Sequence, residues 1–340
     1  MTASRSEAAV SDSGKKEKQQ KAAVRRTANR TGFSVLYRKE LCEYVTSWRV
    51  LLLFVLLVLV TAASLNGAIS NMSDAVEKSS GYIFLKLFTT NGKSIYSFAV
   101  FIAFLGPLMG IAMGFDAIAN EKSQGTLIRI AAQPIYRDSI INAKFLAGAS
   151  VITWILFMLG GVMAGAGILK TGIGPSGEEV ARVLVFLVFA SVYCCMWLAF
   201  SIFLSVVCRH AATAAIVALA IWLFTTMFMS LTASGIANAL YPTDGAGAYT
   251  NTLSNYQLKL GLNRLSPYYL FSEVISTILN PNVRSTGITT MSQYQNAVAG
   301  YLSFGQSLLL VWPHLVYMIA LACVAFAAAY ISFMKREIRA

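Results

Sequence analysis

The sequence predicts an all-α polytopic membrane protein. It has six transmembrane helices, an N-terminal interfacial amphipathic helix, a short transverse helix between spans two and three, and short external helices between spans five and six. Three observations carry this prediction. The chain is 56% hydrophobic and only 12% charged, with a mean hydropathy of +0.62, whereas soluble domains carry about 25% charged residues. Six apolar runs each exceed the roughly 20 residues needed to cross the hydrocarbon of a bilayer. The segments between them are polar and contain helix stops and caps at defined positions.

Residues 1–31 are rich in Lys, Arg, Ser, Gln and Ala, a composition that leaves nothing to bury and predicts a disordered basic tail. Residues 32–47 follow as an interfacial amphipathic helix. Phe33, Leu36, Tyr37, Leu41, Tyr44 and Val45 recur at helical spacing on one face, with Arg38, Lys39 and Glu43 elsewhere. The membrane domain, 48–333, holds the candidate spans Trp48–Ser70, Ile95–Ala119, Ala143–Leu169, Val180–Val207, Ala211–Ser234 and Ser307–Phe333. Residues 334–340 form the C-terminal end. Arg49, Lys144 and Arg182 stand at span ends, from which long side chains are expected to snorkel. Asp116 is the one carboxylate inside a span, near its end, and Asp116 and Glu121 have Lys122 and Arg129 nearby as partners.

In span two, Gly106, Gly110 and Gly114 are spaced by four. They form one stripe of small residues along which helix backbones can approach closely. Gly161 and Gly165 repeat the idea in span three. Packing within one bundle is the plainer role, and an interface between subunits the alternative. Pro107 is a candidate kink.

Between spans two and three, the segment 120–142 contains "NEKSQGTLIRIAAQPIYRDS", Asn120 to Ser139. "NEKSQG" reads as a helix exit. Thr126 can cap a short helix with Leu127, Ile130 and Ala131 on one side, and Pro134 ends it. Asp138 or Ser139 can cap the helix that enters span three. The product is a short transverse helix with a small apolar face flanked by Arg129 and Arg137, enough for a helix-in-groove contact. The loop 235–306 contains "SPYYLFSEVISTILN". Ser266 can cap, Pro267 suits the first turn, and Leu270, Phe271, Val274, Ile275, Ile278 and Leu279 make one apolar face. "SQYQ", Ser292 to Gln295, has capping-box spacing. These external helices are expected to lie over the outer mouth of the bundle.

Counting through Arg49, 19 of the 27 Lys and Arg residues fall on the side that holds the N-terminus. The positive-inside rule therefore predicts a multi-pass protein of the cell membrane with both termini in the cytoplasm. The formal charge of +12 then reports on topology and anionic membrane lipid rather than on nucleic acid, for which there is no base-stacking motif in a basic context. Of the five cysteines, Cys42 precedes span one, and Cys194, Cys195, Cys208 and Cys323 lie in or at the ends of spans, so no disulfide framework is expected. Buried ionisable groups are expected to be absent from the spans, which disfavours a proton-coupled pump or an ion channel.

His210 and His314 are far apart, and no HExxH exists to hold a catalytic metal. "CCM" at Cys194–Met196 and "MFM" at Met227–Met229 offer soft ligands, but filling apolar helices is their expected role. "GKS" at Gly92–Ser94 lacks the earlier glycine of a phosphate loop, because Leu87 stands there. No metal, cofactor or catalytic residue is expected, and any ATP would be bound by a partner.

"GFDAIANEKSQGTLIRIAAQPIYRDSIINAKFLAG" resembles the inner loop of type-2 ABC transporter permeases, through their DAI–E–GT–L–P–R–K run. "YRKELCEYVTSWR" and "LSPYYLFSEVISTILNP" are similar to segments of the NosY-like branch. The resemblance implies a membrane subunit, not itself an enzyme, that pairs with a second permease subunit as a homodimer or heterodimer and binds an ABC ATPase subunit. It implies that Glu121, Gly125, Thr126, Leu127, Arg129, Ile130, Pro134 and Arg137 belong to a cytoplasmic coupling helix and its flanks, docked on that ATPase. Apolar spans favour export of an amphipathic or lipid-like substrate. The alternative is a mechanotransmitting subunit acting on an extracytoplasmic partner, for example in copper-site maturation, without moving cargo.

Overall fold

The computed structural model describes residues 32–71, 82–91, 96–125, 136–172, 174–243, 248–280 and 302–335. Six of its helical stretches are long and apolar enough to cross a membrane: Trp48–Ser70, Phe98–Ser123, Arg137–Thr171, Gly177–Val207, Ala211–Leu240 and Phe304–Lys335. They match the six expected spans, with several ends extended. Sequence periodicity underestimates such ends because the flanking turns are polar.

Helix α1 covers 32–46. Its Leu36 is buried and its Phe33, Tyr37, Leu41 and Tyr44 pack against the core. The Tyr37 hydroxyl donates to Ser150 Oγ at 2.8 Å. The expected apolar face is corrected in two places: Val45 is exposed, and Glu40 is buried on the bundle side. Span one is α2 (Trp48–Ser70). After the short α3 (Ile83–Thr89), span two is α4 (Phe98–Gly114), which runs through Pro107. It turns at Phe115–Ile118 and continues as α5 (Ala119–Ser123). The amides freed at this turn are not wasted: those of Ile118 and Ala119 donate to Ser205 Oγ at 3.1 and 3.0 Å. Span three is α6 (Arg137–Thr171) and span four is α7 (Gly177–Val207).

Helix α7 is the centre of the bundle, in contact with spans two, three, five and six. The span-two glycines explain how closely it approaches. A Cβ on Gly110 would sit 2.5 Å from the Cys194 carbonyl oxygen, and one on Gly114 would sit 2.7 Å from Ser201 Cβ. Gly106 faces Cys194 Sγ in the same way. This stripe thus packs inside one chain. Gly161 and Gly165 do not continue it: both are exposed, with nothing within 4 Å of a Cβ built on them.

Span five is α8 (Ala211–Leu223), a π-helical turn (Phe224–Phe228) and α9 (Met229–Leu240). The next two helices overturn the expected placement over the mouth of the bundle. Helix α10 (Ala248–Asn263) runs back along α9. The chain turns at Arg264–Ser266, and Ser266 Oγ donates to the Thr225 carbonyl oxygen at 2.7 Å. That carbonyl lies in the π turn, midway along span five. Helix α11 (Pro267–Leu279) then returns toward the end of the bundle. Ser266 caps it by accepting from the Tyr269 amide and Pro267 starts it, as the sequence indicates. Phe271 stacks on Tyr193 of α7, with ring centroids 4.6 Å apart and planes 9° apart. The pair α10–α11 is therefore a re-entrant hairpin whose second helix packs among spans two, four, five and six. "SQYQ" and "GKS" lie outside the described residues. Span six is α12 (Phe304–Lys335).

Candidate functional site at the base of the bundle

The end of the bundle holding α1, α5 and the start of α6 is called the base here. Its site is built from three elements distant in sequence. Stepping by four along α1, Leu36, Glu40 and Tyr44 share one stripe, so the face that docks Leu36 also delivers Glu40. Helix α5 presents Glu121, and α6 presents Lys144 two turns from its start. Lys144 Nζ donates to Glu40 Oε2 at 2.8 Å and meets Glu121 Oε1 at 2.8 Å. Glu40 is 2% exposed and Lys144 3%. Lys144 does not snorkel, because leaving would strand two buried carboxylates. Glu121 is likewise paired across the bundle rather than with its neighbour Lys122. Asp116 is held by Arg49 Nη1 of α2 at 2.6 Å, and Arg49 also covers the Phe115 ring. A cavity of about 100 Å³ separates the two ion pairs, lined by Tyr44, Met113 and Asn120 among others.

On the outer side of this cluster, Lys39 meets Glu43 and Glu40 at 2.8 and 2.9 Å. Burial alone would lower the Lys39 pKa, but hydrogen bonds to Glu43 and Glu40 more than offset it, and it is raised. Burial would raise Glu43, but the Lys39 contact holds it below its ordinary value. Burial, then the nearby Glu40 and Asp116 charges, push the Tyr44 phenol well above its ordinary value.

The connection between spans two and three leaves from this cluster. Gly125 has φ +68 and its amide donates to the Lys122 carbonyl at 3.3 Å, so α5 ends in the left-handed conformation that glycine adopts readily. Thr126, Leu127, Arg129, Ile130 and Pro134 lie outside the described residues. The chain resumes at Tyr136, whose extended backbone caps α6 without a side-chain bond. Neither Asp138 nor Ser139 is the cap. Asp138 instead falls in the first turn, where a negative charge suits the free amides. Arg137 is half-buried, with its guanidinium over the Phe333 ring of span six at 5.7 Å. Thus Glu121, Gly125 and Arg137 sit at the two anchored ends of the segment.

The opposite end has its own hub, which sequence reasoning missed. Arg182 is 0% exposed. It pairs with Glu178 at 2.8 Å and donates to the carbonyls of Ile278 and Leu302 at 3.1 and 2.8 Å and to Ser307 Oγ at 3.1 Å. Glu273 of α11 is also buried, held by Arg264 at 3.2 Å and by His314 of α12. Ionisable groups are therefore present inside the bundle, contrary to the expectation from composition, and these ones are paired. Among the described residues no group of three His, Cys, Asp or Glu could hold a metal ion. Cys194 is buried and Met227 is exposed.

Six spans, a buried ionic clamp at one end and a re-entrant hairpin at the other define an α-helical multi-pass membrane protein. The chain belongs to the ABC-2 family of transporter proteins, which it matches over residues 34–338. It is 29% identical over 146 residues to a probable ABC transporter permease protein NosY of Stutzerimonas stutzeri, covering 42% of this chain and 51% of that protein. It is 28% identical over 147 residues to the protein of the same description in Pseudomonas aeruginosa, covering 42% and 52%. The match thus spans about half the length of these curated relatives.

Proposed function

We propose that the chain is the membrane subunit of an ATP-driven ABC transporter, with its base in the cytoplasm, in the cell membrane. A separate ATPase subunit docks on the segment 120–142 and supplies the energy. A second permease subunit completes the transport unit. The observation that carries this reading is Lys144 held between Glu40 and Glu121. It joins α1, the end of span two and the start of span three into one body. A push on the segment between Gly125 and Arg137 is then delivered to three elements together, and through Arg137 and Phe333 to span six. Membership in the family supports the ATPase partner.

The proposed movement is outward, toward the hairpin. Lys144, Arg182 and Glu273 have protein partners within the bundle, which suits an amphipathic or lipid-like cargo better than a free ion. The test is co-purification with the cognate ATPase. Leu127→Glu with Arg129→Glu is the informative pair, since Arg137 also packs on Phe333 and its loss would mix docking with folding. The double variant should insert and fold but lose the ATPase. Retention of the ATPase at wild-type stoichiometry would sink the docking assignment.

A further inference from the structure

Between α1, α2 and α6 the base leaves a groove of about 510 Å³, within the roughly 300–1,000 Å³ usual for ligand sites. Its walls include Leu41 and Val45 of α1, Leu51 and Phe54 of α2, and Trp154 and Ile155 of α6. Ser150 is its one polar residue, and that hydroxyl is engaged: it donates to the Leu146 carbonyl at 2.7 Å and accepts from Tyr37 at 2.8 Å. The groove therefore presents an aliphatic and aromatic lining whose one hydroxyl is engaged. Val45, Leu51 and Trp154 are exposed along it, so it opens sideways between two membrane-crossing helices.

Charge selects the occupant. Arg38, Leu41 and Val45 stand at positions i, i+3 and i+7, one stripe of α1. Arg38 is exposed. Among the described residues no carboxylate pairs with it, whereas Lys39, Arg49 and Lys144 each have at least one. The 31 residues that precede α1 add eight Lys and Arg against three Asp and Glu. An apolar slot beside an unneutralised guanidinium, in a chain whose first 31 residues are net basic, complements a molecule with a hydrocarbon chain and an anionic head.

We propose that this groove holds one acyl chain of an anionic phospholipid from the leaflet at the base, with its phosphate against Arg38. The lipid wedges α1 between α2 and α6, on the side opposite the Glu40–Lys144 pair. The site does not depend on what the protein transports.

The test uses the full-length chain purified in detergent, with phosphatidylglycerol or phosphatidylcholine of identical acyl chains as the probes. Retained lipid is counted by native mass spectrometry. Wild type should retain phosphatidylglycerol at least about fivefold more strongly than phosphatidylcholine, in line with a short basic cluster at an anionic surface. Arg38→Ala should bring that ratio close to one. Val45→Trp, a change at an exposed position that fills the groove, should reduce retention of both lipids with the fold intact by circular dichroism. Equal retention of the two lipids by wild type would overturn the proposal, as would unchanged retention in Val45→Trp. A dimer that Val45→Trp breaks, with no lipid lost, would place a second copy of the chain in the groove and overturn it equally.

Discussion

Lys144 and Glu40 meet at 2.8 Å although 104 positions separate them in the chain. Both are almost fully buried, and Glu121 completes the cluster from a third element. A cation shared by two carboxylates at this depth cannot be removed without leaving uncompensated charge. Breaking a buried ion pair by deleting one partner costs about 3–5 kcal/mol. Lys144→Met should therefore lower the thermal stability of the detergent-solubilised protein by that order. Lys144→Met with Glu40→Gln and Glu121→Gln should recover a large part of it. A single variant as stable as wild type would show that the clamp contributes nothing.

Glycine positions separate cleanly. Gly110→Ala should cost about 1–3 kcal/mol or more, because the new methyl meets the Cys194 carbonyl and the Leu198 amide, which are backbone and cannot turn aside. Gly161→Ala meets nothing within 4 Å and should be neutral or stabilising by up to about 1 kcal/mol through helix propensity. Paired melting curves of the two variants check the contrast.

Gly125→Ala is a different kind of change. Space is open around Gly125, yet its φ of +68 costs a non-glycine residue about 1–2 kcal/mol. The expected loss is local: global melting changes little, while hydrogen exchange in α5 rises and association with the ATPase weakens. A normal exchange pattern in α5 would contradict this.

Acid should loosen the outer side of the clamp in a defined direction. The Glu43 carboxyl is held below its ordinary value of 4.5 by Lys39, so its contribution is present above that value and is lost as pH falls through the lower, folded value. The stability difference between wild type and Glu43→Gln should be constant above about pH 4.5 and should shrink below it. Lys39, raised above 10.5, behaves oppositely, with its contribution complete below that pH and lost as pH rises further. A difference that grows on acidification would reverse the assignment.

At the other end, Glu273→Ala removes a partner of both Arg264 and His314. The expected cost is about 1–3 kcal/mol for the polar groups left behind, concentrated in the hairpin. Limited proteolysis should cut near the Arg264–Ser266 turn faster than in wild type, with the six spans otherwise protected. Equal cutting rates would show that Glu273 does not hold the hairpin in place.

Much of this was legible in the sequence, and the limits have physical causes. Span existence follows from length and hydropathy, which need no knowledge of neighbours. The Ser266 cap and the Pro267 start are local chemistry and appeared where expected. The Ser176–Glu179 capping box of α7 carried the same signal and was passed over. Glu40 also left a trace, since it sits one turn from both Leu36 and Tyr44 on a stripe that was otherwise recognised. Its partner Lys144 left none, because a pair 104 residues apart is fixed by tertiary contact. The hairpin shows the same limit. The apolar face of α11 would look identical lying over the bundle or inserted into it. Tyr193, His314 and the Thr225 carbonyl, all far away in the chain, decide between the two.

Arg182 has a consequence for how the protein is made. Its guanidinium is satisfied by Ile278, Leu302 and Ser307, which follow it by 96, 120 and 125 positions. At about 5–20 residues per second, span four leaves the ribosome many seconds before those partners exist. During that interval the guanidinium has Glu178, one helical turn away, and the earlier Tyr82 ring to accompany it. Span four therefore completes the contacts of Arg182 only once the hairpin and the start of span six have emerged, and a chain truncated before Ser307 should be cut by the cell's membrane proteases faster than the full chain.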